Sequence, residues 1–493
     1  MRITLKHAAV KAAKTAFTKV IPRNGSLPIL HYLCIRQGAG IDATITATNL
    51  EETLQYHVPD AVQDTDGPKS FLIAFDALKK LRLKKGDTVT LESGADSELP
   101  TVKVAASISG QTIHSSIATM SVSDFPTTLR EIPVESYAVG LFLNAYRKAI
   151  TFASTDCTRH VLNGVFRHTE EHALVATDGR RLGMFTIPDL PVDSDFILPP
   201  SKLLANGVFS AETGAIGIIE EDDRQIVEFL SGPWRYQCKC VEGMYPNYQQ
   251  VIPGPTSNFA GSITFAEGDI PLVETAVSQF AQTSDNQIYV YGDEDRGVVI
   301  ASQPGEDGSR AHVVLPNSTC ESSQGEPLVQ SINGCGLLDG LKAGCNICHI
   351  PSDVSPWRGA GTDCLHVVMP LRMADQEKDA VIEFVNQHAI SPQEGADTMS
   401  TEEATEATGD EEHQTNTENT PQHKPDLTLV TTDPVQELVD AVTAAQEAVK
   451  EANSVLHGIK GKLRAVEKHY RARDRQFAKS EKVLAQLQEV VNF

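Results

Sequence analysis

The sequence predicts an α+β protein in which one domain-sized unit occurs three times in tandem. Three short segments recur in the same order at offsets of 120 to 129 residues. Ala47-Thr48-Asn49 returns as Ala176-Thr177-Asp178, Phe71-Leu72-Ile73 as Phe196-Ile197-Leu198, and Phe125-Pro126 as Tyr245-Pro246. A repeat of this length leaves each copy large enough to hold its own core. The apolar patterning gives each copy two helices among many short strands.

Length and composition narrow the class of protein. The chain has 493 residues, and 41% of them are hydrophobic, which is enough for several globular cores. It has no run of about 18 apolar residues, and the N-terminus lacks the apolar core of a signal peptide, so we expect a cytoplasmic protein without a membrane span. Nine cysteines without extracellular spacing indicate reduced thiols.

The first predicted domain covers residues 1–130. Apolar side chains recur at helical spacing over residues 5–20, with lysines between them. Alternation over Ala43–Ala47 indicates a half-buried strand. A second short helix is predicted over residues 74–85, where Gly86-Asp87 ends it.

The second and third domains repeat this plan over residues 131–253 and 254–373. In the second, helices are predicted near 141–154 and 200–208, with strands through 161–187. The third copy is more diverged, with helices near 270–282 and 327–343 and strands at 297–300 and 365–371.

The last 120 residues differ in character. Residues 374–433 carry 15 acidic and two basic residues, and this segment is predicted to be an acidic, disordered linker. Residues 434–493 place apolar side chains at alternating spacings of three and four, from Val435 to Val491, which predicts a coiled-coil helix.

Charge is unevenly distributed along the chain. The net charge is −23, of which the linker contributes −13. Residues 1–23 contain six lysines and arginines and no acid, and residues 74–85 contain five basic residues against Asp76 alone. Basic helices on an acidic body allow one surface to contact phosphate while the rest repels it.

The order and spacing of several short motifs resemble one family. These motifs are Leu27-Pro28-Ile29-Leu30, Leu162-Asn163-Gly164, Ala176 to Leu182, Tyr245-Pro246-Asn247-Tyr248 and Val367 to Arg372. Over residues 1–373 the chain resembles the bacterial sliding clamp, the β subunit of DNA polymerase III. The resemblance implies a DNA clamp fold, with three similar domains per chain and a head-to-tail homodimeric ring around double-stranded DNA. It implies a non-catalytic processivity subunit with no cofactor or metal. Its implied partners are the replicative DNA polymerase catalytic subunit, the clamp loader and other proteins with clamp-binding motifs.

A sliding ring needs phosphate contacts rather than base contacts, because phosphate contacts carry no sequence information. The resemblance places Arg23, Arg159 and His160 in DNA-contacting loops. Further candidates for the lining are Lys6, Lys11, Lys14, Lys79, Lys80, Arg147, Lys148 and Lys202. The first helix of the third domain has acids and no base, so we expect DNA contact to depend chiefly on the first two domains.

The resemblance also implies a pocket for partner peptides, built from the second and third domains. Its wall, carried over from the family, is Leu162, Thr177, Gly179, Arg181, Leu182, Pro246, Val251, Val367, Met369, Pro370, Leu371 and Arg372. The alternative for Leu162, Val367 and Leu371 is an ordinary role in strand packing. Gln249 and Gln250 stand where family members often have basic residues.

Two further motifs have alternative interpretations. Asp426 to Val430 loosely resembles a clamp-binding peptide and could occupy the pocket, but it also fits a chance apolar patch. Cys345-Asn346-Ile347-Cys348-His349 has c-type haem spacing, yet covalent haem attachment requires export, so we expect neither haem nor metal there.

The preferred interpretation is therefore a processivity clamp. The alternative is a clamp-derived accessory scaffold whose C-terminal coiled coil sets its partners.

Overall fold

The computed structural model describes residues 1–388 apart from 24–26, 39, 65–68, 94–99, 127, 255–258, 282, 284, 306–307 and 352–353. The predicted coiled coil, most of the predicted linker and Asp426 to Val430 lie outside the described residues.

The described chain follows one plan three times: a strand, a helix, four or five strands, a second helix, and three or four strands. This confirms the predicted fold class. The first unit contains β1 (Arg2–Lys6), α1 (His7–Val20), β2 (Tyr32–Gln37), β3 (Ala43–Thr48), β4 (Glu52–Val58), β5 (Val62–Asp64), β6 (Ser70–Ala74), α2 (Phe75–Lys80), β7 (Thr88–Ser93), β8 (Thr101–Ile108) and β9 (Gln111–Ala118). The second contains β10 (Glu135–Tyr137), α3 (Val139–Ala149), β11 (Val165–His168), β12 (Ala173–Thr177), β13 (Arg181–Thr186), β14 (Phe196–Leu198), α4 (Lys202–Ala205), β15 (Gly214–Glu221), β16 (Arg224–Ser231) and β17 (Trp234–Lys239). The third contains β18 (Phe259–Thr264), α5 (Ile270–Phe280), β19 (Gln287–Asp293), β20 (Gly297–Ala301), β21 (His312–Leu315), β22 (Thr319–Ser322), β23 (Leu328–Asn333), α6 (Gly334–Lys342), β24 (Ile347–Pro351), β25 (Trp357–Ala360), β26 (Cys364–Val368) and β27 (Pro370–Leu371). A further helix, α7 (Asp375–His388), follows the third unit.

One turn shows the repeat at atomic detail. Asn49, Asp178 and Asp293 each follow or end a strand, and the Oδ1 atom of each accepts the backbone N–H groups of the second and third residues after it, at 2.6 to 3.0 Å. Short Asn and Asp side chains stabilise such turns because they reach their own backbone. The third copy therefore has the same turn, although its sequence there, Tyr291-Gly292-Asp293, shares little with the first two copies.

Two extended antiparallel sheets join the units. In the eight-stranded sheet, of order β10-β15-β16-β17-β4-β3-β2-β6, β4 of the first unit pairs with β17 of the second. In the nine-stranded sheet, of order β14-β11-β12-β13-β26-β25-β24-β18-β22, β13 of the second unit pairs with β26 of the third. We call the β4–β17 pairing the first seam and the β13–β26 pairing the second seam. Both seams join the third strand after a unit's first helix to the third strand after the next unit's second helix.

In the first and third units, one strand of a type that forms a seam lies instead at the edge of a sheet. β9, the third strand after the second helix of the first unit, is the edge of the five-stranded sheet β5-β1-β7-β8-β9. β21, the third strand after the first helix of the third unit, is the edge of the sheet β21-β20-β19-β23-β27. Within the residues that the structure describes, β9 pairs only with β8, and β21 only with β20.

Six helices form a row across the seams. α2 contacts α1, α1 contacts α4 of the second unit, and α4 contacts α3. Lys148 at the end of α3 donates from Nζ to the carbonyl of Ala343, which directly follows α6, at 2.9 Å. α6 contacts α5 and completes the row. None of the helices in the described ranges is long and apolar enough to cross a membrane.

Several predicted helices differ from the structure in extent. The predicted helix 327–343 is strand β23 followed by α6, because Leu328 to Asn333 pair with β19 and the Asn333 side chain then accepts the N–H of Gly336 at 2.8 Å as an N-cap. The predicted helix 74–85 ends at Lys80, because the Asp87 carboxylate accepts the N–H of Lys84 at 2.7 Å and holds that segment in a turn.

The chain also continues in regular structure past the predicted third domain. α7 lies in the segment predicted as linker, and it packs Val381 and Val385 into an apolar cluster with Tyr289, Tyr291 and Val329. The sequence did not predict α7, because its four apolar residues give only a weak helical periodicity within an acidic stretch.

Candidate peptide pocket and nucleic-acid surface

A cavity of about 500 Å³ lies where the second seam meets the start of α6 and β27. Its lining contains Asp178, Arg180, Arg181, Asp285, Asn286, Asn333, Cys335, Gly336, Val368, Met369, Pro370 and Leu371. Its walls therefore come from the second and third units together.

The turn between β12 and β13 sets one wall of this cavity. Gly179 in that turn has a φ of +88°, a conformation that favours glycine. The backbone N–H of Met369 donates to the carbonyl of Arg180 at 3.0 Å, which fixes the segment between β26 and β27 against the turn. The side chain of Met369 remains 43% exposed beside the cavity.

Arg181 holds the same region together across the seam. Its side chain is 19% exposed and pairs with Asp178, at 3.0 Å, and with Asp339 of α6. It also donates to the carbonyl of Thr151 at 3.0 Å and lies over the ring of Phe152. Because most of its donors are used within the chain, we interpret Arg181 as a positioning residue of the pocket wall.

The predicted pocket residues divide between the two faces of the second seam. Leu182 and Val367 are directly opposite each other in the sheet, and both lie in an apolar cluster with Tyr245, Tyr248 and the half-buried Leu162. Arg181, the neighbour of Leu182, points to the opposite face, as alternation along a strand requires.

The remaining predicted wall residues lie around these two groups. Met369, Pro370 and Leu371 line the cavity, and Thr177 and Gly179 form the adjacent turn. Val251 is 51% exposed at the end of a short 3₁₀ helix, and Pro246 and Arg372 are exposed. Gln249 donates to Glu171 at 2.7 Å.

The sequence prediction did not find Asn333, Cys335 and Gly336 in the cavity wall, since it placed these residues in mid-helix. The Asn333-Gly334 pair, an N-cap residue followed by a glycine, was the available signal of a helix start.

Most of the predicted DNA-contacting residues are exposed on the row of helices or in adjacent loops. The exposed ones are Lys6, Lys11, Arg23, Lys79, Lys80, Lys148, Arg159, His160 and Lys202. Arg23 and Lys79 line one cavity of about 640 Å³ between the end of α1 and the start of α2. The fold thus brings together two basic residues that are distant in sequence.

Three of the predicted residues have donors engaged by the chain itself. Lys14 donates to the carbonyl of Leu81, and Lys148 to that of Ala343. Arg147 donates to the carbonyls of Leu204 and Phe209, each at 3.1 Å, and partial burial lowers its pKa. These cations are fixed in position, so fewer of their donors are available to phosphate.

The helices of the third unit differ in charge from those of the first. α1 and α2 carry five lysines and one aspartate, whereas α5 and α6 carry one lysine, one aspartate and one glutamate. That single lysine, Lys342, pairs with Glu274 at 2.6 Å.

The cysteine motif of the third unit is distributed over separate environments. Cys348 is buried in the core of the unit, and the ring of His349 packs on Phe259 with centroids 5.2 Å apart. Across the described ranges, no group of three or more His, Cys, Asp or Glu residues is arranged to hold a metal ion.

Tandem α+β units joined edge to edge, with their helices in one row, define the class of DNA clamp folds. The DNA polymerase III β subunit from Pseudomonas aeruginosa matches with a TM-score of 0.61 at 21% identity, covering 76% of this chain and 100% of that one. The β subunit from Streptococcus pyogenes matches with a TM-score of 0.63 at 17% identity and the same coverage. These likenesses show the fold.

The sequence comparison leads to the same family. The β sliding clamp of Caulobacter vibrioides is 23% identical over 358 residues, which are 69% of this chain and 89% of the relative. No protein-family model matches the chain. The chain is a distant relative of the β sliding clamps, as its motifs predicted.

Proposed function

We propose that two copies of this chain close head-to-tail into a ring around duplex DNA. In this proposal the ring is a non-catalytic clamp that tethers the replicative DNA polymerase, and a clamp loader opens and closes it. The fold and the relatedness to β sliding clamps support this proposal.

Two strand edges that have no partner among the described residues carry the proposal. β9 and β21 are the same strand types that meet at both internal seams. β9 is exposed along nearly its whole length, and Ile113 within it is 61% exposed. A long exposed edge strand is a template for pairing with another chain. Pairing β9 of one copy with β21 of the next would repeat the seam, and two chains would then supply six units.

The helix row supplies the proposed DNA surface. Its basic residues are concentrated on α1 to α4, which belong to the first two units. Lysine contacts with phosphate are independent of sequence, which suits a protein that slides. The second seam supplies the proposed peptide pocket, where Met369 presents exposed apolar atoms beside a cavity.

Retention on DNA of different topology tests this function. The full chain, its clamp loader and ATP are incubated with nicked circular DNA and separated by gel filtration. We expect the chain to elute with the DNA and to be lost when the circle is cut, because a ring slides off an open end. Equal retention on circular and linear DNA would contradict encirclement.

The helix row has its own test. Replacing Lys11, Lys79 and Lys80 together by glutamine should weaken binding to duplex DNA and lower the slope of log affinity against log salt by about 2.7, since each lost phosphate contact contributes about 0.9. Fluorescence anisotropy over a salt series measures this slope. Lys342→Gln on α6 is the matched control and should leave the slope nearly unchanged. An equal effect of both variants would show that the third unit contributes as much as the first.

A further inference from the structure

Two thiols from distant parts of the third unit lie together beside the second seam. The Sγ atoms of Cys345, just after α6, and Cys364, the first residue of β26, are 2.7 Å apart. A disulfide needs a separation of about 2.05 Å, so the sulfurs must approach by only about 0.7 Å to form one. Both residues are reduced in this structure.

The two thiols have different surroundings. Cys345 is fully buried, whereas Cys364 is partly exposed and accessible to a small reagent. Lys148 of α3 approaches the pair from the second unit. Gly344 lies beside both groups. The position that a Cβ of this residue would occupy is 3.9 Å from Nζ of Lys148 and 4.0 Å from Sγ of Cys364.

These surroundings assign different protonation to the two sulfurs. The hydrogen bond with Cys345, helped by the charge of Lys148, lowers the pKa of Cys364 against the opposing effects of burial and the Asp363 carboxylate. The same hydrogen bond, together with burial, raises the pKa of Cys345. Cys364 therefore loses its proton more readily than Cys345 does. Reactive cysteines in proteins typically combine partial exposure with a neighbouring cation.

We propose that Cys345 and Cys364 are a peroxide-sensitive dithiol that closes reversibly into an intrachain disulfide. The thiolate of Cys364 attacks one oxygen of hydrogen peroxide, so that an S–O bond forms, the O–O bond breaks and hydroxide leaves. The sulfur of Cys345 then attacks the sulfenic acid at Cys364. The S–S bond forms, and the departing hydroxyl takes the proton of Cys345 and leaves as water. Peroxide is reduced by two electrons, and the two thiols together are oxidised by two.

The disulfide would tie the turn after α6 to β26, the strand that forms the second seam with β13. The partner of Cys345 is set by the fold rather than by the CxxC spacing. Cys348, which the spacing would pair with Cys345, lies in the apolar core of the unit on β24. This modification does not depend on the proposed DNA binding.

Peptide mapping after oxidation tests the proposal on the full chain. The chain is treated with a limiting amount of hydrogen peroxide, its free thiols are alkylated, and its proteolytic peptides are identified by mass. We expect a Cys345–Cys364 linked peptide, reversible by a thiol reductant, to appear before modification of the exposed Cys157 and Cys335. Lys148→Gln should slow its formation several-fold, whereas Lys202→Gln, also on the helix row, should not.

Two variants separate the steps. Cys345→Ser should stop the reaction at a sulfenic acid on Cys364, which dimedone traps, and Cys157→Ser should leave the linked peptide unchanged. Circular dichroism confirms that each variant is folded. Oxidation of Cys157 and Cys335 ahead of the pair, or a link from Cys345 to Cys348 instead, would overturn the proposal.

Discussion

The first and second seams use the same strands in the same order, yet they differ at equivalent positions. At the first seam Leu54 stands opposite Tyr236, and at the second Gly183 stands opposite His366. The ring of Trp234 on β17 also stacks on Tyr56 of β4, with centroids 4.3 Å apart. The first seam is thus packed by aromatic rings, and the ion pairs across it, from Glu51 to Arg224 and Lys239, are more exposed than those of Arg181.

The second seam has a less exposed ion pair and leaves more space. Arg181 bridges to Asp339, and the cavity beside it is about 500 Å³, against about 250 Å³ for the cavity at the first seam. The smaller cavity is lined largely by polar and charged groups such as Arg130 and Glu221, whereas the larger one adds Met369, Pro370 and Leu371. The same kind of strand pairing therefore leaves a small polar cavity at the first seam and a larger, partly apolar one at the second.

The largest loss of stability is expected from removing the charge of Arg181 at the second seam. Arg181→Met should lower the free energy of unfolding by about 3 kcal/mol, because it removes the cation with which both Asp339 and Asp178 pair. Glu52 occupies the equivalent position at the first seam, where it accepts the hydroxyl of Tyr236. Glu52→Gln should cost less than about 1 kcal/mol, since the amide oxygen still accepts that bond. Urea denaturation measures both, and equal losses would remove the distinction between the seams.

A smaller loss of stability is expected at the second seam when the pH is lowered. His366 is fully buried, and burial, helped by the charge of Arg181, lowers its pKa from 6.5 to about 3. The unfolded chain therefore binds this proton first, so the contribution of His366 is complete above pH 6.5 and is lost as the pH falls towards 3. Between pH 6.5 and about 4.5 the loss should be roughly 2 kcal/mol.

The equivalent residue at the first seam, Tyr236, is neutral throughout this range, and burial raises its pKa further. Comparing the pH dependence of unfolding in the native chain and in His366→Gln isolates the histidine. We expect the variant to lose this part of the slope. An unchanged slope would show that His366 does not titrate as its burial requires.

The smallest of these effects concerns partner binding. Met369→Ala should weaken binding of a peptide from the replicative polymerase about tenfold, because a half-exposed apolar anchor contributes roughly 1 to 2 kcal/mol when covered. Lys239→Ala, beside the cavity of the first seam, is the matched control and should leave the affinity unchanged. Isothermal titration with the full chain measures both, and a greater loss from the Lys239 variant would move the binding surface to the first seam.

The sequence predicted those features that depend on local side-chain requirements. The turns at Asn49 and Asp178 need a short side chain that accepts backbone N–H groups. The sequences at these two turns are therefore alike, and this likeness revealed the repeat. The same turn at Asp293 keeps the aspartate alone, which is too little to recognise without the fold. The motifs around Leu182 and Val367 likewise predicted a pocket between the second and third domains, but not that these strands pair or that Arg181 and Leu182 face opposite sides of the sheet.

Features that depend on long-range contacts were not visible in the sequence. The 18 residues between Cys345 and Cys364 give no local pattern, whereas the misleading CxxC spacing does. The start of α6 was missed because apolar spacing across residues 327–343 fits a helix as well as a strand followed by a helix. Only pairing of β23 with β19 decides between them.

The central claim is that β9 of one chain and β21 of another pair as the strands of the internal seams do. Hydrogen–deuterium exchange of the full chain over a range of concentrations tests this claim most directly. We expect amides in both strands to become protected together as the mass of the species rises to that of two chains, while the exposed turn at Asp222 and Asp223 stays fast. If the chain remains monomeric, or if β9 and β21 exchange as fast in the dimer as in the dilute chain, the proposed ring contact is wrong.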